Sequence, residues 1–259
     1  MLSGFKNLLR PPMLRALRAV PGGLRLQIGH DALPDRMRHL NQLGFSPSVI
    51  VDIGAFEGMW ARAIAEQFPA AQIFMIEAQD SKSEILRKRC AELGSKANYT
   101  INLLGSAPKE NVTFYELGTG SSIYSELTDH QKTPTIKTMT TLSEVLQCHN
   151  VINPDFIKLD VQGAEIDILL GGLDVLKTST MVQAELSVTP YNDGAPLASE
   201  VIAFMWSKNF VLYDLFEAKR VNNSGQISQI DALFLNRNST FWSTSRFEAS
   251  HRNHLGTKN

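Results

Sequence analysis

The chain has 259 residues, 43% of them apolar and 20% charged, which suffices for one large α/β domain with a full core and is too short for two. This composition excludes a mainly disordered protein, and no window approaches the roughly 18 uninterrupted apolar residues of a membrane-spanning helix. The net charge of −1 conceals a basic arm and an acidic body: residues 1–30 carry Lys6, Arg10, Arg15, Arg18 and Arg25 with no acid, whereas the remainder has 20 basic and 26 acidic residues.

Cys90 and Cys148 are the two cysteines, with no CxxC or Cys/His cluster around them, so neither a disulfide framework nor a structural zinc site is expected. A reducing, cytoplasmic setting fits. In the basic arm Leu14, Leu17 and Val20 fall near one side of a short helix, and arginines interrupt the stretch before a secretory signal could form. Two readings of the arm stay open: a frayed or docked extension, or a peripheral contact of residues 1–25 with an anionic membrane or acidic partner.

A polar helix is expected from Asp31 to Gly44, where a glycine suits the residue after a helix end. The apolar run Ser48–Gly54 reads as a strand, followed by a helix through Phe68 that Pro69 stops. Gln72–Glu77 is a second strand, Ser81–Leu93 a charged helix, and Tyr99–Leu104 a third strand. Strands alternating with helices in this way predict a parallel sheet covered on both faces.

Val112–Glu116 and Thr135–Met139 read as further extended pieces around a loop at Gly118–Ser122. Thr141 with Glu144 three residues on has the spacing of a capping box. Asp155–Asp160 is the next strand, Gly163–Leu176 a helix, Met181–Val188 a strand and Ala198–Lys208 a helix. Phe210–Phe216 and Ile230–Leu235 predict a closing antiparallel hairpin, and the polar tail after Arg237 is expected to be poorly ordered. The organisation is an arm and helical lead-in over 1–47, one domain over 48–237 and a tail over 238–259.

Two segments carry chemistry. In Val51-Asp52-Ile53-Gly54-Ala55-Phe56-Glu57-Gly58, small residues let the turn after a strand pass close to a ligand, and Glu77 at the tip of the next strand can hold ribose hydroxyls. The spacing is G-x-x-x-G rather than the G-x-G-x-x-G of dinucleotide sites. Asp52 would repel a pyrophosphate, yet it suits a cationic ligand such as the amino group and sulfonium of S-adenosylmethionine. In the second segment, Phe156-Ile-Lys-Leu-Asp160-Val-Gln-Gly163-Ala-Glu165, Asp160 sits at the carboxyl end of a core strand, where ligands collect in open α/β sheets. Glu165 falls in a first helical turn, where an anion is favoured.

Together, Ile50–Trp60 with Phe74–Ala78, and Ile157–Glu165 with the leucine-rich helix behind it, resemble the FkbM family of S-adenosylmethionine-dependent methyltransferases over roughly Ser48 to Glu185. Two positions depart from the family pattern: Phe56, where many members carry Asn, and Gln162, where Glu is usual. The resemblance implies a Rossmann-like α/β methyltransferase fold, with a mostly parallel seven-stranded sheet, a C-terminal antiparallel hairpin and helices on both faces. It implies O-methylation of a hydroxyl on a sugar, glycan or glycolipid precursor, or polyketide-type product, with Asp52, Gly54, Ala55, Phe56, Gly58, Glu77, Ala78 and Leu104 around the donor. Asp160 is the expected general base, with His130 a second candidate. Asp160 and Glu185 on adjacent strands could also hold Mg²⁺. Open alternatives are a non-catalytic nucleoside-binding or interaction protein on the same scaffold and an NAD-dependent oxidoreductase. A nucleic-acid substrate is not expected of the acidic body.

Overall fold

A computed structural model describes residues 33–116, 121, 123, 133–190, 192–221 and 224–244. The arm from residue 1 to 32 and His130 lie outside the described residues. The elements begin with α1 (Leu33–Gln42), β1 (Val49–Ile53), α2 (Met59–Gln67), β2 (Gln72–Glu77), α3 (Ser83–Leu93) and β3 (Ala97–Ile101). There follow β4 (Leu103–Leu104), β5 (Lys109–Glu116), β6 (Thr133–Thr140), α4 (Leu142–Cys148) and β7 (Phe156–Leu159). The chain then forms α5 (Glu165–Leu170), α6 (Leu173–Thr178), β8 (Met181–Ser187), α7 (Ala198–Ser207), β9 (Phe210–Arg220), β10 (Ile227–Asn236) and α8 (Thr240–Thr244).

The main sheet has seven strands in the order β3-β2-β1-β7-β8-β10-β9. β10 runs antiparallel to both of its neighbours, and the pairings from β3 through β8 are parallel. This is the expected Rossmann-like architecture: strand order reverses between β1 and β7, and the crevice at that reversal opens at the carboxyl ends of the strands. Both faces are covered because side chains alternate along each strand and both sets are apolar in their lower halves. Val51, Ile157 and Val182 meet Leu142, Ile168 and Met205 from α4, α5 and α7. Ile50, Phe156 and Met181 meet Met37, Ile64 and Leu86 from α1, α2 and α3.

The structure departs from the sequence reading in three places. The expected strand Tyr99–Leu104 is divided at Asn102: β3 stays in the main sheet, while β4 pairs in parallel with β6 in a separate three-stranded sheet ordered β4-β6-β5. Leu103, Phe114 and Met139 form the small core of that second sheet, and burying them explains why the chain leaves the first one. The expected helix Gly163–Leu176 is two helices interrupted at Gly171 and Gly172, residues with poor helix propensity. Part of the expected disordered tail is ordered, because α8 docks Phe241 against Phe45 at 5.4 Å between ring centroids. The capping box at Thr141 and Glu144 forms, with both reciprocal hydrogen bonds present.

Candidate functional site

Three rows of residues across one face of the main sheet build the site. The lowest row, Ile50, Phe156, Met181 and Leu235, is apolar. One step up, the register places Asp52 beside Lys158 and Lys158 beside Gln183. At the carboxyl edge Asp160 follows β7, and Glu185 on β8 pairs with Asp231 on β10. The polar character of the upper rows thus rises toward the edge where β1 and β7 diverge.

Lys158 lies 3.1 Å from Asp52 Oδ1 and 3.6 Å from Asp160 Oδ2, and donates to the Gly54 carbonyl at 3.0 Å. Burial disfavours its charge, but Asp52 and Asp160 outweigh that and hold the ammonium above the ordinary lysine range. Asp52 is fully buried, and desolvation raises its carboxyl against the opposing pull of Lys158. The Trp60 indole donates to Gln183 Oε1 at 3.1 Å, and Gln183 in turn donates to Asp231 Oδ1 at 3.0 Å. Desolvation raises Asp231 to about 7, opposed by that hydrogen bond.

In front of this wall lies a cleft lined by the β1–α2 turn, the tips of β2 and β7, and the second sheet. Glu77 is buried at the tip of β2, and its carboxylate accepts the backbone N–H of Phe56 at 2.7 Å on Oε2 and those of Ala78 and Gln79, each at 2.9 Å, on Oε1. A carboxylate has about four lone-pair directions, so one on Oε2 is left for a ligand hydroxyl. Gly54 adopts φ +73°, and a Cβ there would lie 1.9 Å from the Asp160 carbonyl; the β1 and β7 loops meet this closely only because the residue is glycine. Leu103, Leu104, Phe114 and Ile123 give the far end of the cleft an apolar wall.

Phe56 and Gln162 both adopt left-handed backbone, at φ 50° and 53°. Asn tolerates this region better than a bulky ring, so Phe is the more strained choice at 56. Here the Lys82 ammonium lies 3.7 Å from the Phe56 ring centroid and 2.9 Å from Glu57, which fixes the ring on the cleft lip.

Of the residues expected around the donor, Gly54, Ala55, Phe56, Glu77, Ala78 and Leu104 line the cleft, as does Asp160. Asp52 and Gly58 do not. Asp52 shares the face of Lys158 and Asp160 but is fully buried below the edge, where it engages the Lys158 ammonium. Gly58 gives way to the Arg89 side chain and Met75 from the α2–α3 side, serving helix packing.

The pairing of Asp160 and Glu185 as a Mg²⁺ site does not hold. Gln162 Nε2 stands between them, 3.3 Å from Asp160 Oδ1 and 2.7 Å from Glu185 Oε2. Glu185 also accepts from Gln229 Nε2 at 2.8 Å and pairs through Oε1 with Lys219. Both of its oxygens face donors, so this donor set does not fit a divalent cation. Among the described residues no group of three or more His, Cys, Asp and Glu could hold a metal.

Lys158, Trp60 and Gln183 carry no assigned role in the sequence reading. Their signal was a polar residue interrupting an apolar strand, at Lys158 in Phe-Ile-Lys-Leu and Gln183 in Met-Val-Gln-Ala, but register alone shows that the two meet.

The family described as the methyltransferase FkbM domain matches residues 52–212, more than half of the chain. No curated protein matches by sequence. Among solved structures, the chain is similar to precorrin-6y C5,15-methyltransferase from Geobacter metallireducens GS-15, with 13% identity, coverage of 78% of this chain and 86% of the other, and a TM-score of 0.44. It is also similar to a SAM-dependent methyltransferase from Aquifex aeolicus, with 12% identity, coverage of 78% and 89%, and a TM-score of 0.41.

Proposed function

The chain belongs to the FkbM methyltransferase family and is an S-adenosylmethionine-dependent methyltransferase, and on that premise we propose that its acceptor is a hydroxyl of a sugar, a glycan or glycolipid precursor, or a polyketide-type product. The observation that carries the reading is Asp160: a carboxylate 40% exposed at the carboxyl edge, lining the donor cleft and flanked by Lys158.

The residues present fit the donor. Glu77 keeps an acceptor position for a ribose hydroxyl, Gly54 lets the β1 and β7 loops close together at the cleft, and Leu103, Leu104 and Phe114 suit an adenine ring. When bound, S-adenosylmethionine supplies an already activated methyl group. Asp160 is placed to accept the proton of the acceptor hydroxyl as its oxygen displaces the methyl carbon from sulfur, with S-adenosylhomocysteine the leaving group. Lys158 and Gln162 hold that carboxylate from two sides, and the cleft walls supply the positioning that carries most of the rate. No metal takes part in this reading. Peripheral contact of residues 1–25 with anionic lipid belongs to it as well, supported by the charge of +5 in the arm.

The test is calorimetry with S-adenosylmethionine and S-adenosylhomocysteine, followed by transfer from labelled donor into an extract of the source organism and identification of the product. An O-methylated product is expected. Binding without transfer would point to a nucleoside-binding protein, and a label on nitrogen or carbon would overturn the assignment to oxygen.

A further inference from the structure

Beside the donor cleft runs a second polar surface that shares Asp160 with it. From Asp160 the Gln162 amide leads to Glu185, which is 9% exposed. Glu185 leads on to Lys219 of β9 and Gln229 of β10, and Gln229 Nε2 also lies 3.3 Å from Gln162 Oε1. Behind this surface the Asn192 side chain donates to the Gln162 backbone carbonyl at 2.8 Å, while its own Oδ1, also buried, has no hydrogen-bond partner among the described residues. These groups alternate donors and acceptors over the sheet edge formed by the carboxyl ends of β8 and β9 and the amino end of β10.

The surface is polar and carboxylates outnumber ammonium groups on it. Lys219 answers Glu185, the single Lys158 answers both Asp52 and Asp160, Asp231 stands beside Glu185 in the register, and Gln162 and Gln229 are neutral. An acceptor carrying phosphate or carboxylate would find each cation already engaged and carboxylates beside it. A neutral ring with several hydroxyls exchanges hydrogen bonds with amides and carboxylates and disturbs no pair, so desolvation costs it least.

Resting on the O-methyltransferase reading, we propose that Gln162, Glu185, Lys219 and Gln229 form the acceptor subsite and select uncharged, hydroxyl-rich acceptors over phosphorylated or carboxylated ones. Gln162 is its positioning residue, because one amide holds both Asp160 toward the donor cleft and Glu185 toward the acceptor.

The test uses the full chain with labelled S-adenosylmethionine and, as probes, methyl glycosides of neutral hexoses and deoxyhexoses beside the matching uronate and 6-phosphate glycosides. Neutral glycosides are expected to be labelled with kcat/KM at least about tenfold above any charged one, the discrimination of one lost polar contact. Gln229→Leu and Lys219→Met, both on the accessible strands, are expected to raise KM for the neutral glycoside roughly five- to tenfold with kcat and donor affinity unchanged. Preference for a charged glycoside, unchanged KM in both variants, or no labelling of any neutral glycoside by a chain that binds donor would each overturn the proposal. Failure to bind donor in calorimetry, or a label on nitrogen, would instead strike the O-methyltransferase reading.

Discussion

Lys158 and Asp52 form a buried ion pair, 3.1 Å between Nζ and Oδ1, and the same ammonium donates to the carbonyl of Gly54. One side chain therefore joins the charge balance behind the cleft to the turn that shapes it. Replacing Lys158 by Met strands a fully buried carboxylate, which costs about 3–5 kcal/mol when a buried partner is removed. Lys158→Met with Asp52→Asn removes both charges, and urea denaturation should show it more stable than the single variant. A double variant no more stable than the single would mean that the pair is not the source of the loss.

Glu77 accepts three backbone N–H groups and faces the cleft. Gln at this position offers one oxygen and turns an amide N–H toward one set of those donors. Affinity for S-adenosylhomocysteine by calorimetry should fall at least about tenfold, equivalent to about 1.4 kcal/mol. Retained affinity would show that the ribose is held elsewhere.

Two glycines with positive φ provide a matched comparison. At Gly54 a Cβ would lie 1.9 Å from the Asp160 carbonyl, whereas at Gly44 nothing lies within 4 Å. Gly44→Ala should cost only the backbone strain, on the order of 1 kcal/mol. Gly54→Ala should be several times more destabilising and should abolish donor binding. Equal melting temperatures for the two variants would contradict the close approach of the β1 and β7 loops.

Glu165 is buried, its carboxyl raised by desolvation from 4.5 to about 7 despite the hydrogen bond from the Gly163 N–H. The native state therefore binds this proton more tightly than the unfolded chain. Stability falls as pH rises from about 4.5 to 7, by on the order of 3 kcal/mol at most, and the loss is complete above the native value. Asp231, raised to about 7, acts with the same sign. Glu165→Gln should flatten stability against pH in this window in urea titrations, and an unaltered slope would count against a raised Glu165.

With both Glu185 oxygens engaged by Gln162, Gln229 and Lys219, methyl transfer should be unaffected by EDTA and by added Mg²⁺. Loss of turnover with EDTA, restored by Mg²⁺, would show that this network rearranges around a cation.

What the sequence by itself determined was local. The alternation of apolar strands with helices, the capping box at Thr141, the Gly54 turn followed by Glu77, and the segment ending at Asp160 are each written within a few consecutive residues, because periodicity, capping and turn chemistry act over that range. Which side chains meet was decided by the tertiary structure. Lys158 reaches the carbonyl of Gly54 across 104 positions, and Gln162 faces Gln229 across 67. Strand register and the alternation of faces set both contacts, and packing buried Asp52 beneath the cleft although it shares the face of Lys158. The division of Tyr99–Leu104 at Asn102 was likewise invisible locally, since Leu103 and Leu104 suit either sheet and only pairing with Met139 and Thr140 of β6 places them in the second. A strand's pattern says that a face is buried; the packed neighbours say against what, and here they turned an expected metal pair into a hydrogen-bonded polar surface.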